Sequence, residues 1–136
     1  MAEPFEMRVE LGKVREFARA TNSRHPDHQG DDGVSPVTFL QTSAFWQTRA
    51  NDPLPDRDMR RSLHAEQEFV FPSGPPPVGA RLTGVSRIDD TWTKAGRRGG
   101  ELRFTRVATD YTDDTGALVA QVFFTTVETS KATGAS

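Results

Sequence analysis

From Leu63 onward the apolar residues of this chain return at every second position, and that alternation constrains the fold more than any other feature. Leu63, Ala65, Phe69 and Phe71 share one face of a strand. Leu82, Gly84, Ser86, Ile88 and Trp92 mark a long second strand, and Leu102, Phe104 and Ala108 a third that runs to Tyr111. Leu118 to Val127 is apolar on both faces, as befits a strand with neighbours on either side. Ser73-Gly74-Pro75-Pro76-Pro77, the glycine-rich stretch Ala95 to Gly100, and Asp113-Asp114-Thr115-Gly116 separate the strands with turn chemistry. Four strands in antiparallel hairpins need apolar cover on one face.

The preceding half offers one segment suited to that task. Ser35 reads as an N-cap and Pro36 as the first helical residue. Val37, Leu40, Ala44 and Phe45 then form an apolar face flanked by Phe39 and Trp46, which predicts a buried helix from Pro36 to about Ala50. Before it, Phe5 to Val9 reads as a short strand. Leu11, Val14, Ala18 and Thr21 recur at helical spacing, with Asn22 as the stop. Ser23 to Gly33 and Asn51 to Arg61 are loops. The expected architecture is α+β: a single hot-dog domain over 1–129, an antiparallel sheet wrapped around a central helix, followed by a flexible tail, 130–136.

A length of 136 residues suits one domain with a modest core. A mean hydropathy of −0.61 makes that core thin for a monomer and favours a partner that buries more surface. A net charge of −2 gives no electrostatic case for nucleic acid or an acidic membrane. Cysteine is absent, which removes disulfides, thiolate catalysis and zinc–cysteine sites and fits a reducing cytoplasm. No apolar run reaches the roughly 20 residues a bilayer needs, and the N-terminus has no signal-peptide pattern. The expectation is a cytoplasmic protein without a cofactor.

The loop after the first helix reads Asn22-Ser23-Arg24-His25-Pro26-Asp27-His28. It resembles the active-site loop Gly-Asp-x-Asn-Pro-x-His of the MaoC-like (R)-specific enoyl-CoA hydratases and dehydratases. Further matching stretches are Glu16 to Ala20, Ser35 to Phe39, Leu63 to Phe69, Lys94 to Gly100 and Gly116 to Ala120. Within that superfamily the chain resembles the N-terminal half-domain, HadA/HadC-like type, whose members are non-catalytic subunits. The resemblance implies acyl-thioester substrates on coenzyme A or acyl carrier protein, dimers of hot dogs, and reversible addition of water to a trans-2-enoyl thioester by an Asp/His pair. It also implies that backbone N–H groups at the start of the central helix polarise the thioester carbonyl; Pro36 has no N–H, which leaves Val37 and Thr38.

The departures matter as much. His28 matches the family's catalytic His, but Ser23 stands in place of the Asp, and His25 in place of the Asn. A hydroxyl without a base beside it does not deprotonate water near neutral pH. Two readings stay open. This subunit has lost half of its dyad and a catalytic MaoC-like partner supplies an intact one, or Asp27, Asp31 or Asp32 has taken over beside His28; Asp27 is adjacent in sequence, so the two side chains tend to diverge, whereas Gly30 and Gly33 allow the tight turning that Asp31 or Asp32 needs. His25 and His28 with Asp27 lack a placed third ligand, so no metal is expected.

Other candidates have plainer alternatives. Phe39 and Trp46 either line an acyl tunnel or are simple core. His64 either reaches a partner's active site or decorates a sheet edge beside Glu66 and Glu68. Lys94, Arg97, Arg98 and Gly99 either hold coenzyme A phosphates or form an exposed hairpin tip. The leading function is a subunit of a heteromeric enoyl-thioester hydratase, inactive alone, which shapes the acyl pocket. A self-sufficient hydratase, a homodimer, a thioesterase using Gln41 or Glu66, and a non-enzymatic acyl-thioester binder are the alternatives.

Overall fold

Residues 2–130 are described by the structure, a computed structural model, and among them a five-stranded antiparallel sheet takes up most of the regular chain. The strands are β1 (Phe5–Arg8), β2 (Ser62–Val70), β3 (Arg81–Ala95), β4 (Glu101–Thr112) and β5 (Leu118–Glu128). Their order is β1-β3-β4-β5-β2, so β4 is central and β2 is an edge. The period-two stretches become strands because alternate side chains face opposite sides. In β1, Phe5 and Met7 are buried while Glu6 and Arg8 are exposed.

One α-helix, α1 (Leu11–Ala20), buries Val14 and Ala18. It stops where the sequence says it should: Asn22 adopts the left-handed conformation, φ 59°. The Asp113–Gly116 turn also forms as read, with the Asp113 carboxylate accepting from the N–H groups of Thr115 and Ala117. The Thr115 hydroxyl also donates to it at 2.6 Å, and that bond first, with the two N–H groups, holds the carboxyl below its ordinary range.

The central helix departs from expectation. Instead of an α-helix over Pro36–Ala50, the chain forms a 3₁₀ helix, Phe39–Trp46, and a short 3₁₀ turn, Arg49–Asn51. The Phe39 N–H donates to the Pro36 carbonyl, and Gln47 N–H to Ala44, three residues back. Thr38, Thr42 and Ser43 are weak α-helix formers. With three residues per turn, burial repeats at three: Phe39 with Thr42, and Leu40 with Ser43. The expected face of Val37, Leu40, Ala44 and Phe45 therefore breaks up. Leu40 goes inside, and Val37 and Phe45 stay exposed.

Ser35 is not a cap. Its hydroxyl donates to the Pro76 carbonyl at 2.8 Å, stapling this segment to the proline-rich connector before β3. The 3₁₀ helix lies against β1 and the sheet, and the core gathers there: Phe5, Met7, Val14, Phe39, Leu40, Leu82, Tyr111 and Val122. Each large member contributes about 1.5–3 kcal/mol by leaving water. Gly84 is required by Phe5, whose ring lies so close that an added Cβ would sit 2.3 Å from Cζ. The tail expected over 130–136 lies outside the described residues except for Ser130.

Candidate functional site

The loop between α1 and the 3₁₀ helix folds back on itself through a glycine. A Cβ on Gly33 would lie 2.0 Å from the Asp27 carbonyl oxygen, so only glycine fits. That approach lets the Val34 N–H donate to the same carbonyl at 2.8 Å. The Val78 N–H donates to the Gly33 carbonyl, tying the loop to the strand connector.

His28 is half-buried in this frame. Its Nδ1 lies 2.8 Å from the Val34 carbonyl oxygen. A carbonyl only accepts, so Nδ1 carries the proton and Nε2 of the neutral ring holds the free lone pair. The imidazole is thus oriented as a base or acceptor, but by a backbone carbonyl and not by a carboxylate. Asp27 is 3.6 Å from His25 Nδ1 and faces that ring. Asp31 and Asp32 are exposed, and neither contacts His28.

A cavity of about 410 Å³ unites several predicted residues. Ser23, His25, Asp27, His28, Val37 and Thr38 all line it. The N–H groups of Val37 and Thr38 have no acceptor among the described residues, in contrast to that of Phe39. Two free donors and an oriented imidazole on one concave wall can receive a polarised carbonyl and a water.

The remaining predicted residues lie elsewhere. Phe39 is wholly buried and packs edge-on against Phe17, ring centres 5.7 Å apart, so it is core and not a pocket wall. Trp46 packs on the core from its margin. Lys94, Arg97, Arg98 and Gly99 sit at the β3–β4 hairpin, the far end of a 15-residue strand from the connector that holds His28. At about 3.3 Å per residue that is of order 45 Å of strand. Lys94 there places its ammonium over Phe104.

His64 lines a different cavity of about 290 Å³ beneath the 3₁₀ helix, with Gln67, Gln47, Ser43, Tyr111 and Phe124. Gln47 Nε2 donates to the Ser43 hydroxyl at 3.0 Å, beside the Tyr111 phenol. Burial pushes the Tyr111 pKa up to about 12, against a smaller opposing effect of Ser43. The Gln67 side-chain amide is buried beside this cavity without a partner among the described residues. Sequence reading missed the grouping of Gln47, Ser43 and Tyr111 on this cavity. The available signal was the chain's only tyrosine, set in the apolar alternation of β4.

The family described as FAS1-like, dehydratase domain region, matches residues 1–122. A UPF0336 protein of Clavibacter michiganensis is 33% identical over 127 residues, which are 85% of this chain and 80% of that one. The match to a UPF0336 protein of Saccharopolyspora erythraea, also 33% identical, spans only 60% of that relative's length. Among solved structures, the HadBC (3R)-hydroxyacyl-ACP dehydratase complex of Mycobacterium tuberculosis aligns with a TM-score of 0.68 and 26% identity, covering 92% of this chain and 94% of the matched one. The ChsH1–ChsH2 complex of the same organism shares the fold, with a TM-score of 0.72 at 14% identity over 98% and 85% of the two chains.

Proposed function

The chain belongs to the FAS1-like dehydratase-domain family, and we propose that it is a subunit of a heteromeric MaoC-like enoyl-thioester hydratase or 3-hydroxyacyl dehydratase whose partner supplies the intact Asp/His pair. One observation carries this reading: a backbone carbonyl orients His28, and among the described residues no carboxylate hydrogen-bonds to it, Asp27 being turned to His25. Ser23 lines the same cavity where the family motif has Asp. The solved relative with 26% identity belongs to a two-chain complex, which supports the heteromeric form.

The reaction adds water across a carbon–carbon double bond conjugated to a thioester. A base takes one proton from water as its oxygen attacks the β carbon. The electron pair moves onto the thioester oxygen, and the α carbon then gains a proton. In this reading the base is the partner's. This chain contributes the fold, a pairing edge and the pocket beneath the 3₁₀ helix for the acyl chain. The free edge of β2 fits the pairing role: it carries His64 and Gln67 on the wall of that pocket, with exposed Met59 and Leu63 beside it. A partner strand laid along β2 would satisfy its open backbone groups and close the pocket. A cytoplasmic location goes with this reading.

The test is hydration of crotonyl-CoA, followed by loss of enoyl absorbance. The chain alone should give no more than background. Co-expression with a MaoC-like protein that carries the complete loop motif should give turnover and a co-purifying complex. Full activity of the isolated chain, or free thiol release without hydration, would contradict the proposal.

A further inference from the structure

A groove of about 580 Å³ runs along the C-terminal half of α1, walled by Arg15, Arg19 and Arg24 with Asn22, Ser23 and Gln29. Its wall carries three arginines, and no carboxylate is among the residues that line it. Arg15 is braced, its Nε donating to the Gln29 carbonyl at 2.8 Å. Its terminal nitrogens, and the whole guanidinium groups of Arg19 and Arg24, have no acceptor among the described residues.

The end of α1 does not account for them. Its carbonyls at Phe17, Ala18 and Arg19 are already taken by the N–H groups of Thr21, Ser23 and Asn22, at 3.0, 2.7 and 3.1 Å. Like charges gathered without a counter-charge repel one another, and an anion with several oxygens relieves that repulsion. The fork of each guanidinium matches a phosphate's oxygens. Ser23 lines this groove and also the His28 cavity, so the two hollows meet at that residue.

We propose that the groove binds the phosphate ester of a pantetheine carrier and that the chain's own loop, although it lacks the carboxylate, retains a carrier site. The choice of carrier as ligand rests on the acyl-thioester reading above. The phosphate would sit between Arg15, Arg19 and Arg24, and the extended pantetheine arm would pass Ser23 toward His28.

Calorimetric titration of the full chain tests this with 4′-phosphopantetheine, pantetheine, coenzyme A, and holo- and apo-acyl carrier protein. The phosphate-bearing ligands should bind and pantetheine should not. The double variant Arg19→Glu, Arg24→Glu, checked for an unchanged melting temperature, should bind them about tenfold more weakly or worse. Binding of coenzyme A but not holo-carrier protein would name the free cofactor as the source, and the converse would name the protein; either supports the site. Equal binding of pantetheine and 4′-phosphopantetheine, or undiminished binding by the double variant, would overturn it. Failure of the hydratase reading shows separately, as no enoyl hydration with any partner while 4′-phosphopantetheine still binds.

Discussion

Alkaline titration of Tyr111 puts a number on how well the core is sealed. Its side chain is 1% exposed, and burial pushes its pKa from 10.0 to about 12. A pKa raised by folding means that the fold prefers the neutral phenol. The resulting stability is fully present below about pH 10 and disappears as the pH climbs through about 12. Two units at 1.36 kcal/mol each amount to about 2.7 kcal/mol. For a domain of this size that corresponds to a fall in Tm of roughly 10 °C. Because the chain has one tyrosine, tyrosinate absorbance reports this residue alone. In the folded protein the absorbance step should come near pH 12, and in urea near pH 10. Tyr111→Phe should remove the part of the alkaline stability loss that the tyrosine causes while keeping the ring's contact with Phe5, whose centroid lies 5.9 Å away. A native titration near pH 10 would refute the packing described around the 3₁₀ helix.

Gly33→Ala should destabilise the chain by about 2 kcal/mol or more, read as a lower urea midpoint, because its Cβ would meet the Asp27 carbonyl at 2.0 Å. Ser35→Ala should cost less, about 1 kcal/mol in the same assay, since the Pro76 carbonyl keeps the Ser35 N–H as a donor at 2.9 Å. Ser23→Asp should give the isolated chain a crotonyl-CoA hydration rate above background, because residue 23 and His28 wall one cavity; a variant that folds and stays at background counts against the loop alignment.

The strands themselves were legible from their period of two, and Asp113–Gly116 and Asn22 carry local chemistry that acts without tertiary help. Which face each side chain takes was not: bulges at Ala65 and Asp89 shift the register, so Leu63 and Phe69 fall on opposite faces of β2 and Ile88 stays exposed. The 3₁₀ helix was not. Apolar side chains at Phe39, Leu40, Phe45 and Trp46 are compatible with three or 3.6 residues per turn, and contact with the sheet decides between them. Ser35 has the composition of a cap but finds an acceptor 41 residues away, which no local pattern encodes. Val37, Thr38, Ser23 and His28 were found because they lie close in sequence on one looped segment. Arginine-rich phosphate contacts were sought at Arg97 and Arg98, which are adjacent in sequence. The groove instead draws Arg15 and Arg19 from successive turns of α1 and Arg24 from the loop beyond it, a grouping that only the folded chain displays.

In the proposed complex the working acid–base pair sits on the other subunit. Two variants of the reconstituted complex, compared in one hydration assay, decide where it lies. Replacing the partner's motif Asp by Asn should abolish turnover, while His28→Asn in this chain should leave most of it. Loss of turnover from His28→Asn with the partner's Asp dispensable would contradict the account.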